Sequence, residues 1–111
     1  MGNKYGNRKI TAYGETFDSQ REYRRYGVLR LQERVGIISD LKRQVKFVLI
    51  PTQRDEEGKL LEKECSYYAD FTYKDSEGHL VVEDAKGAKT DVYKIKKKLM
   101  LYVHGIQIKE S

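Results

Sequence analysis

The segment 64–86 limits the fold more than any other part of the sequence. Over residues 64–73, apolar and aromatic residues alternate with more polar ones, which is the two-residue period of a β-strand with one buried face. A polar turn at 74–78 follows, and residues 79–86 form a second β-rich run. The pattern predicts an antiparallel hairpin, and therefore a fold that is built around a sheet.

Helices and further strands on either side of this hairpin complete the predicted fold. Asp18 and Ser19 are both suitable N-caps for a first helix, and Thr90 or Asp91 caps a second helix that Gly105 stops. Pro51 ends another strand, because proline removes a hydrogen-bond donor from the ladder. The predicted order is α (19–35), β (44–50), β (64–73), β (79–86), α (91–104) and β (106–109), which is typical of an α/β (α+β) protein.

The length of 111 residues suits a single domain. We expect residues 1–16 to form a basic N-terminal arm that closes in a short hairpin, and residues 17–111 to form the domain. Cys65 is the only cysteine, which excludes an internal disulfide and suits a reduced compartment. The apolar runs at 47–50 and 99–103 are far shorter than the ~20 residues of a membrane span. We therefore expect a cytoplasmic protein without a membrane partner.

Three side chains are expected to converge at the end of the hairpin. Alternation places Asp84 and Lys86 on one face of the third strand and Glu83 on the other, and Asp70 lies across the hairpin. Two carboxylates in a partly apolar setting repel each other, so the pair is costly to keep without a divalent cation. On spacing alone, the simpler alternative is a structural ion pair between Asp70 and Lys86, with Asp84 as a solvated strand end.

Magnesium is the natural occupant of such a site, and Mn²⁺ is an alternative. Asp70, Asp84 and the carbonyl of Ala85 would be the protein ligands, which leaves positions for water and a phosphate oxygen. Lys86 would hold or help to deprotonate the attacking water and would stabilise the charge that develops on phosphorus.

Glu22 has two interpretations. It shares one side of the first helix with Tyr26 and Leu29, so its carboxylate points along a partly apolar stripe. It also follows Ser19 by three residues, which is the spacing of a capping box. The two roles are compatible, and the residues alone favour neither.

The last predicted helix has a basic flank. The chain holds 22 Lys and Arg against 17 Asp and Glu, and residues 86–98 contain six lysines and one acid, Asp91. A basic run that starts beside the carboxylates suits a phosphodiester backbone passing the site, and a solvated surface is the plain alternative. The predicted packing face of this helix consists of Val92, Ile95, Leu99, Tyr102 and Val103. The predicted DNA-binding residues are Lys89, Lys94, Lys97, Lys98, Arg21 and Arg25.

Two sets of motifs carry a resemblance to known families. Glu22 on a first helix, Tyr67-Tyr68-Ala69-Asp70-Phe71 on one strand and Asp84-Ala85-Lys86-Gly87 on the next, followed by a basic helix, resemble the PD-(D/E)xK nuclease superfamily. Ala69 stands where the name of that superfamily has proline. More closely, the chain is similar to an uncharacterised family of small endonuclease-like proteins from phages and prophages of Gram-positive bacteria. The segments that carry this similarity are 4–9, 17–22, 47–51 and 82–87.

The resemblance implies a restriction-endonuclease-like core, with a mixed central sheet flanked by helices, and metal-dependent cleavage of DNA. It implies that Asp70 and Asp84 are metal ligands, that Lys86 is the catalytic lysine and that Glu22, the acidic residue of the first helix, belongs to the catalytic set. Glu83 adjoins Asp84, so a slip of one residue in register is the competing assignment.

A structure-selective endonuclease similar to Holliday-junction resolvases, acting in phage DNA recombination or replication, is the function that this resemblance favours. DNA, and no small molecule, would be the substrate. Because a junction presents two symmetric strands and one small domain offers one site, a homodimer follows. The alternatives are another phage enzyme that nicks or cuts DNA, and a non-catalytic DNA-binding module with the same fold.

Overall fold

The computed structural model describes residues 9–111, which form two helices, a mixed four-stranded sheet and two short hairpins. The predicted mixed α and β class is confirmed. No helix within 9–111 is long and apolar enough to cross a bilayer. The elements in chain order are β1 (Ile10–Ala12), β2 (Glu15–Phe17), α1 (Gln20–Arg34), β3 (Ser39–Ile50), β4 (Gln53–Arg54), β5 (Leu60–Glu62), β6 (Cys65–Lys74), β7 (Leu80–Asp84), α2 (Asp91–His104) and β8 (Lys109–Glu110).

The central sheet has the strand order β3-β6-β7-β8. β6 pairs antiparallel with both β3 and β7, as the predicted hairpin requires, and β8 joins β7 in parallel after α2. β3 begins earlier than predicted because its inward-facing positions continue through Leu41 and Arg43. β8 is shorter than the predicted last strand, and the exposed β4–β5 hairpin was not predicted.

Side-chain caps begin both helices where the sequence predicts them. Ser19 Oγ accepts a hydrogen bond from the Glu22 N–H (3.2 Å), and Thr90 Oγ1 accepts one from the Tyr93 N–H (3.1 Å). α2 ends at Gly105, whose φ of 67° is a left-handed conformation that glycine adopts without strain. These local interactions confirm the predicted positions of α1 and α2.

Two apolar clusters, one under each helix, hold the fold together. Leu29 of α1 packs with Ile38 and with Phe71 and Tyr73 of β6. α2 packs on a second cluster, which includes Tyr67 and Ala69, also of β6. Asp70 therefore stands on β6 between residues of the two clusters. The members of the second cluster are Leu49, Tyr67, Ala69, Val82, Tyr93, Met100 and Ile108.

α2 packs through a different side from the one predicted. Tyr93 and Met100, which are seven residues apart, are its buried residues. Tyr93 suits this position because its ring packs in the core while its hydroxyl donates to Glu110 Oε2 (2.8 Å). The predicted packing face is therefore wrong, and an apolar row stays at the surface. Its residues are Val92, Ile95, Leu99, Tyr102 and Val103, of which only Leu99 is half-buried.

The part of the predicted N-terminal arm that lies within the described residues is structured. β1 and β2 form a short antiparallel hairpin, as expected for the end of the arm. Phe17 is buried, and the Glu15 carboxylate accepts a hydrogen bond from the Tyr26 hydroxyl (2.9 Å). The hairpin therefore packs on α1. Residues 1–8 of the predicted arm lie outside the described residues.

Candidate active site

The site forms where β6 and β7 separate. Phe71 and Glu83 are the last pair in their ladder, and beyond it the Asp70 carboxylate takes the place of a backbone partner. Asp70 Oδ2 accepts a hydrogen bond from the Ala85 N–H (2.9 Å). The predicted convergence of Asp70 with the segment 84–86 therefore rests on a direct contact.

Asp84 lies at the bottom of this site and is 1% exposed. Its Oδ2 accepts a hydrogen bond from the Tyr67 hydroxyl (2.5 Å), and the Lys86 Nζ lies 3.6 Å from its Oδ1. Oδ1 is buried and accepts no hydrogen bond from any described residue. The ion pair of Lys86 is thus with Asp84 rather than with Asp70, and Asp84 is not a solvated strand end.

The ionisation of Asp70 reflects the crowding of negative charge. Burial, followed by the charges of Asp84 and Glu22, raises the pKa of Asp70 to about 7, and the hydrogen bond from Ala85 opposes the rise only in part. Three carboxylates therefore act on one another here, two from the sheet and one from α1.

Glu22 is the third residue of α1 after its cap, and its carboxylate points into the site rather than forming the reciprocal half of a capping box. Its backbone N–H is capped by Ser19, while its carboxylate is 3% exposed and lies against β3. Glu22 Oε1 accepts hydrogen bonds from Arg43 Nη2 (2.5 Å) and from Gln44 Nε2 (3.4 Å). The side chain therefore reaches the site instead of turning back to its own helix start.

Arg43 and Gln44 are site residues that sequence reasoning missed. Arg43 also pairs with Glu15 (2.9 Å), and Gln44 Nε2 donates to Asp70 Oδ1 (3.2 Å). Arg43 had one signal, since it occupies an inward position of β3 between apolar residues. No feature of the sequence indicated Gln44, because its φ of 51° inside a strand is visible only in the structure.

Glu83 points to the other side of β7 from Asp84, as strand alternation predicts, and contacts α1. It is fully buried and accepts two hydrogen bonds from the Arg25 guanidinium (2.5 and 3.0 Å) and one from the Tyr73 hydroxyl (2.6 Å). Burial alone would raise the pKa of Glu83, but hydrogen bonds from Arg25, Tyr73 and Ser111 lower it below its ordinary value. Arg25, predicted to bind DNA, thus serves a buried ion pair.

The four lysines predicted to bind DNA share one concave surface. They line a cavity of about 350 Å³ together with Tyr93 and Glu110. The cavity adjoins the site through Tyr93, since the Lys86 ammonium lies 4.9 Å from the centre of its ring. The lysines are Lys89, Lys94, Lys97 and Lys98.

Glu110 forms ion pairs with two of these four lysines. Its carboxylate pairs with Lys89 (3.1 Å) and Lys97 (3.2 Å), and it accepts a hydrogen bond from Tyr93. Hydrogen bonds from Tyr93, Lys89 and Lys97 lower the pKa of Glu110 to about 2, so this carboxylate stays ionised. Lys94 and Lys98 are exposed and pair with no acid among residues 9–111.

Arg21 is exposed at the start of α1 and lies near the segment that follows the site. Its Nη1 donates to the Ser111 carbonyl (3.4 Å), and its Nε lies 3.8 Å from where a Cβ on Gly87 would be. Within 9–111, no group of three or more His, Cys, Asp or Glu side chains is arranged to hold a metal ion.

One family model matches nearly the whole chain. It is described as a protein of unknown function, DUF1064, and the match covers residues 2–109. No curated protein and no solved structure gives a significant match. The function therefore has to be inferred from the site itself.

Proposed function

Because this chain belongs to the DUF1064 family, whose description gives no activity, we propose a function from its site: metal-dependent endonucleolytic cleavage of DNA. We further propose that its sheet and helices are a restriction-endonuclease-like core with a site of the PD-(D/E)xK kind. The observation that carries the proposal is the meeting of Asp70, Asp84 and Lys86 where β6 and β7 separate, with Glu22 of α1 beside them.

The donor atoms of this site fit Mg²⁺ or Mn²⁺. Asp84 Oδ1 is a buried carboxylate oxygen without a hydrogen-bond donor among the described residues, and a cation would satisfy it. Asp70 and Asp84 would hold the ion with the predicted carbonyl of Ala85. Mg²⁺ keeps several waters and commonly takes only one or two protein carboxylates, so a group of three acidic ligands is not required.

Each side chain of the site has a place in the proposed reaction. When bound, the metal would supply Lewis-acid polarisation of the phosphate and a lower pKa for the attacking water. Lys86 orients that water and stabilises the negative charge that grows on the phosphate oxygens. Tyr67 fixes the Asp84 carboxylate, and the Tyr93 ring supports the Lys86 ammonium. Glu22 adds a further carboxylate at the α1 side of the site.

The basic surface supports DNA as the substrate. Lys94 and Lys98 border the cavity that meets the site at Tyr93, so a phosphodiester backbone that follows α2 would pass Lys86. Lys89 and Lys97 line the same cavity, and Arg21 lies near Gly87, in the segment that follows the site. We propose a structure-selective, resolvase-like cleavage by a homodimer, in which each copy cuts one strand of a phage recombination or replication intermediate.

The test is incubation with duplex, flap, fork and four-way junction DNA in Mg²⁺, in Mn²⁺ and in chelator. We expect cleavage that needs the metal and that Asp84→Asn abolishes. The matched control is Asp40→Asn, which makes the same change on an exposed residue of β3. Cleavage by Asp84→Asn at the parental rate would remove the metal site from the proposal.

The Arg43 contact favours a second candidate, a non-catalytic DNA-binding module. A guanidinium that neutralises Glu22 from inside the protein stabilises the fold without any metal. This candidate predicts binding to the same DNA panel, with no cleavage in either metal and with equal affinity for the parent and Asp84→Asn.

A further inference from the structure

The apolar row of α2 lies at the surface of the described protein. Val92 is 62%, Ile95 57% and Tyr102 88% exposed, while Leu99 is half-buried. Spacings of three and four residues align these side chains along one side of the helix, as in helices that pack against another helix. Leu99 packs against the core cluster under α2, and within residues 9–111 the other four residues of the row are exposed.

The row is separate from the basic surface of the same helix. Each residue turns an α-helix by about 100°, so Lys94 and Lys98 lie between the buried side, marked by Tyr93, and the row. A partner on the row would therefore leave Lys94 uncovered, and Lys98 would flank the interface. The helix has one side for the sheet, one for a polyanion and one without an assigned partner.

We propose that the apolar row of α2 binds the same row of a second copy, so that two antiparallel α2 helices form the core of a two-fold dimer. The inference rests on the proposed function in one respect: cleavage of a DNA junction needs two active sites, and a dimer supplies them. It names the surface that brings those sites together.

Four of the five residues of the row match one another under two-fold symmetry, and Val103 falls opposite Asp91 at the edge. With the axis at the level of Lys97, Val92 faces Tyr102 and Ile95 faces Leu99, so a larger side chain lies opposite a smaller one at the ends. Antiparallel helices also place opposite ends of their dipoles side by side. An isologous interface requires this kind of self-complementarity.

The area of the row allows a small two-fold interface. Its exposed residues amount to roughly 500 Å² per copy, so that complete pairing would bury at most about 1,000 Å², the lower limit of specific interfaces. Tyr102 is the residue type that most often anchors such interfaces. The exposed row of α1 is shorter, because Arg24 and Gln20 occupy its first half.

The experiment measures the mass in solution by light scattering and sedimentation, without DNA or metal. We expect the parent at tens of micromolar to have twice the mass of one chain. Ile95→Glu/Tyr102→Glu should raise the dimer dissociation constant by at least about 30-fold. Leu31→Glu/Val35→Glu is the matched control, since these residues of 57% and 61% exposure lie in the last turn of α1 and at its C-cap. Circular dichroism confirms that each variant folds.

Several outcomes would overturn the inference. A monomeric parent excludes the dimer, and a dimer that survives in the α2 variant but not in the α1 control places the interface on α1. Orientation is tested by oxidising a mixture of Val92→Cys and Tyr102→Cys chains that also carry Cys65→Ala. An antiparallel pair gives the mixed disulfide, whereas disulfides only between identical variants would overturn the arrangement. Because no readout involves DNA, failure here is distinct from failure of the proposed nuclease.

Discussion

Arg43 and Gln44 hold two of the carboxylates that the proposed reaction uses. Arg43 sits in an inward position of β3 and neutralises Glu22, and Gln44 bridges Glu22 and Asp70 through one amide nitrogen. Gln44 does this from a left-handed backbone conformation, which costs a residue other than glycine of order 1 kcal/mol. Strain of this kind persists where the surrounding contacts determine it, and here they belong to the candidate site.

Asp70 should make the fold less stable as the pH rises. Its folded pKa of about 7 lies above its ordinary value of 3.8, so the folded state binds the proton more tightly. The free energy of unfolding therefore falls between about pH 4 and pH 7 and stays low above pH 7. Asp70→Asn should raise it by about 1–3 kcal/mol at pH 8 and leave it unchanged at pH 4.

Urea unfolding in chelator at the two pH values measures this difference. Asp40→Asn, an exposed control, should leave the free energy of unfolding unchanged at both pH values. Equal effects of Asp70→Asn at pH 4 and pH 8 would mean that Asp70 is not crowded by negative charge.

Arg43 should be more important to stability than an exposed ion-paired residue of the same strand. Arg43→Ala leaves Glu22 buried without its partner and should cost about 3–5 kcal/mol. Lys46→Ala removes an exposed pair with Glu64 and should cost less than about 1 kcal/mol.

Adding Glu22→Gln measures how much of the Arg43 loss comes from the unpaired charge. In a double-mutant cycle the cost of Arg43→Ala should shrink by more than about 1 kcal/mol when residue 22 is neutral. An unchanged cost would assign the effect to the other contacts of the guanidinium, with Phe17 and Glu15, instead.

At the scale of elements, the lysines in and just before α2 differ in whether they pair with an acidic residue. Glu110 neutralises Lys89 and Lys97 in part, whereas Lys94 and Lys98 pair with no acid among the described residues. Each phosphate that a lysine neutralises contributes about 0.9 to the slope of log affinity against log salt. Lys94→Gln/Lys98→Gln should therefore lower that slope by about two and weaken binding to every DNA sequence alike.

Fluorescence anisotropy over a salt series measures this slope. The control is Lys63→Gln/Lys74→Gln, two exposed lysines distant in sequence from α2, which should leave it unchanged. If both double variants bind DNA like the parent, Lys94 and Lys98 belong to a solvated surface that does not contact DNA.

The elements themselves were largely predictable because local interactions determine them. Ser19, Thr90 and Gly105 fix helix ends through contacts within a few residues, and alternation assigned Asp84 and Glu83 to opposite faces. The buried side of α2 was not predictable, since apolar residues occupy two of its sides and only the sheet selects between them. Arg43 was missed because its partners come from β2 and α1, far away in sequence.

At the scale of the whole molecule, ligand binding at the site should be visible in the stability of the fold. A cation that relieves the repulsion between Asp70 and Asp84 binds the folded state, so it raises the free energy of unfolding by mass action. At about ten times its dissociation constant, Mg²⁺ should add about 1.4 kcal/mol, which is a rise of several degrees in the melting temperature.

Thermal unfolding with and without Mg²⁺ tests this without any DNA. Asp84→Asn should lose the rise, and Asp40→Asn should keep it. A rise of the same size in both variants would indicate a general salt effect rather than a metal held by Asp84.

The edge of the central sheet limits how copies of this protein can associate. β3 is a 12-residue edge strand, and edges of this length invite the strand of another chain. Two of its residues, Asp40 and Gln44, have φ values of 55° and 51°, which bend the backbone away from the flat geometry that strand addition needs. Lys42 and Lys46 add charge along the same strand. The bend that presents Gln44 to the carboxylates thus also makes this edge a poor template for the strand of another chain.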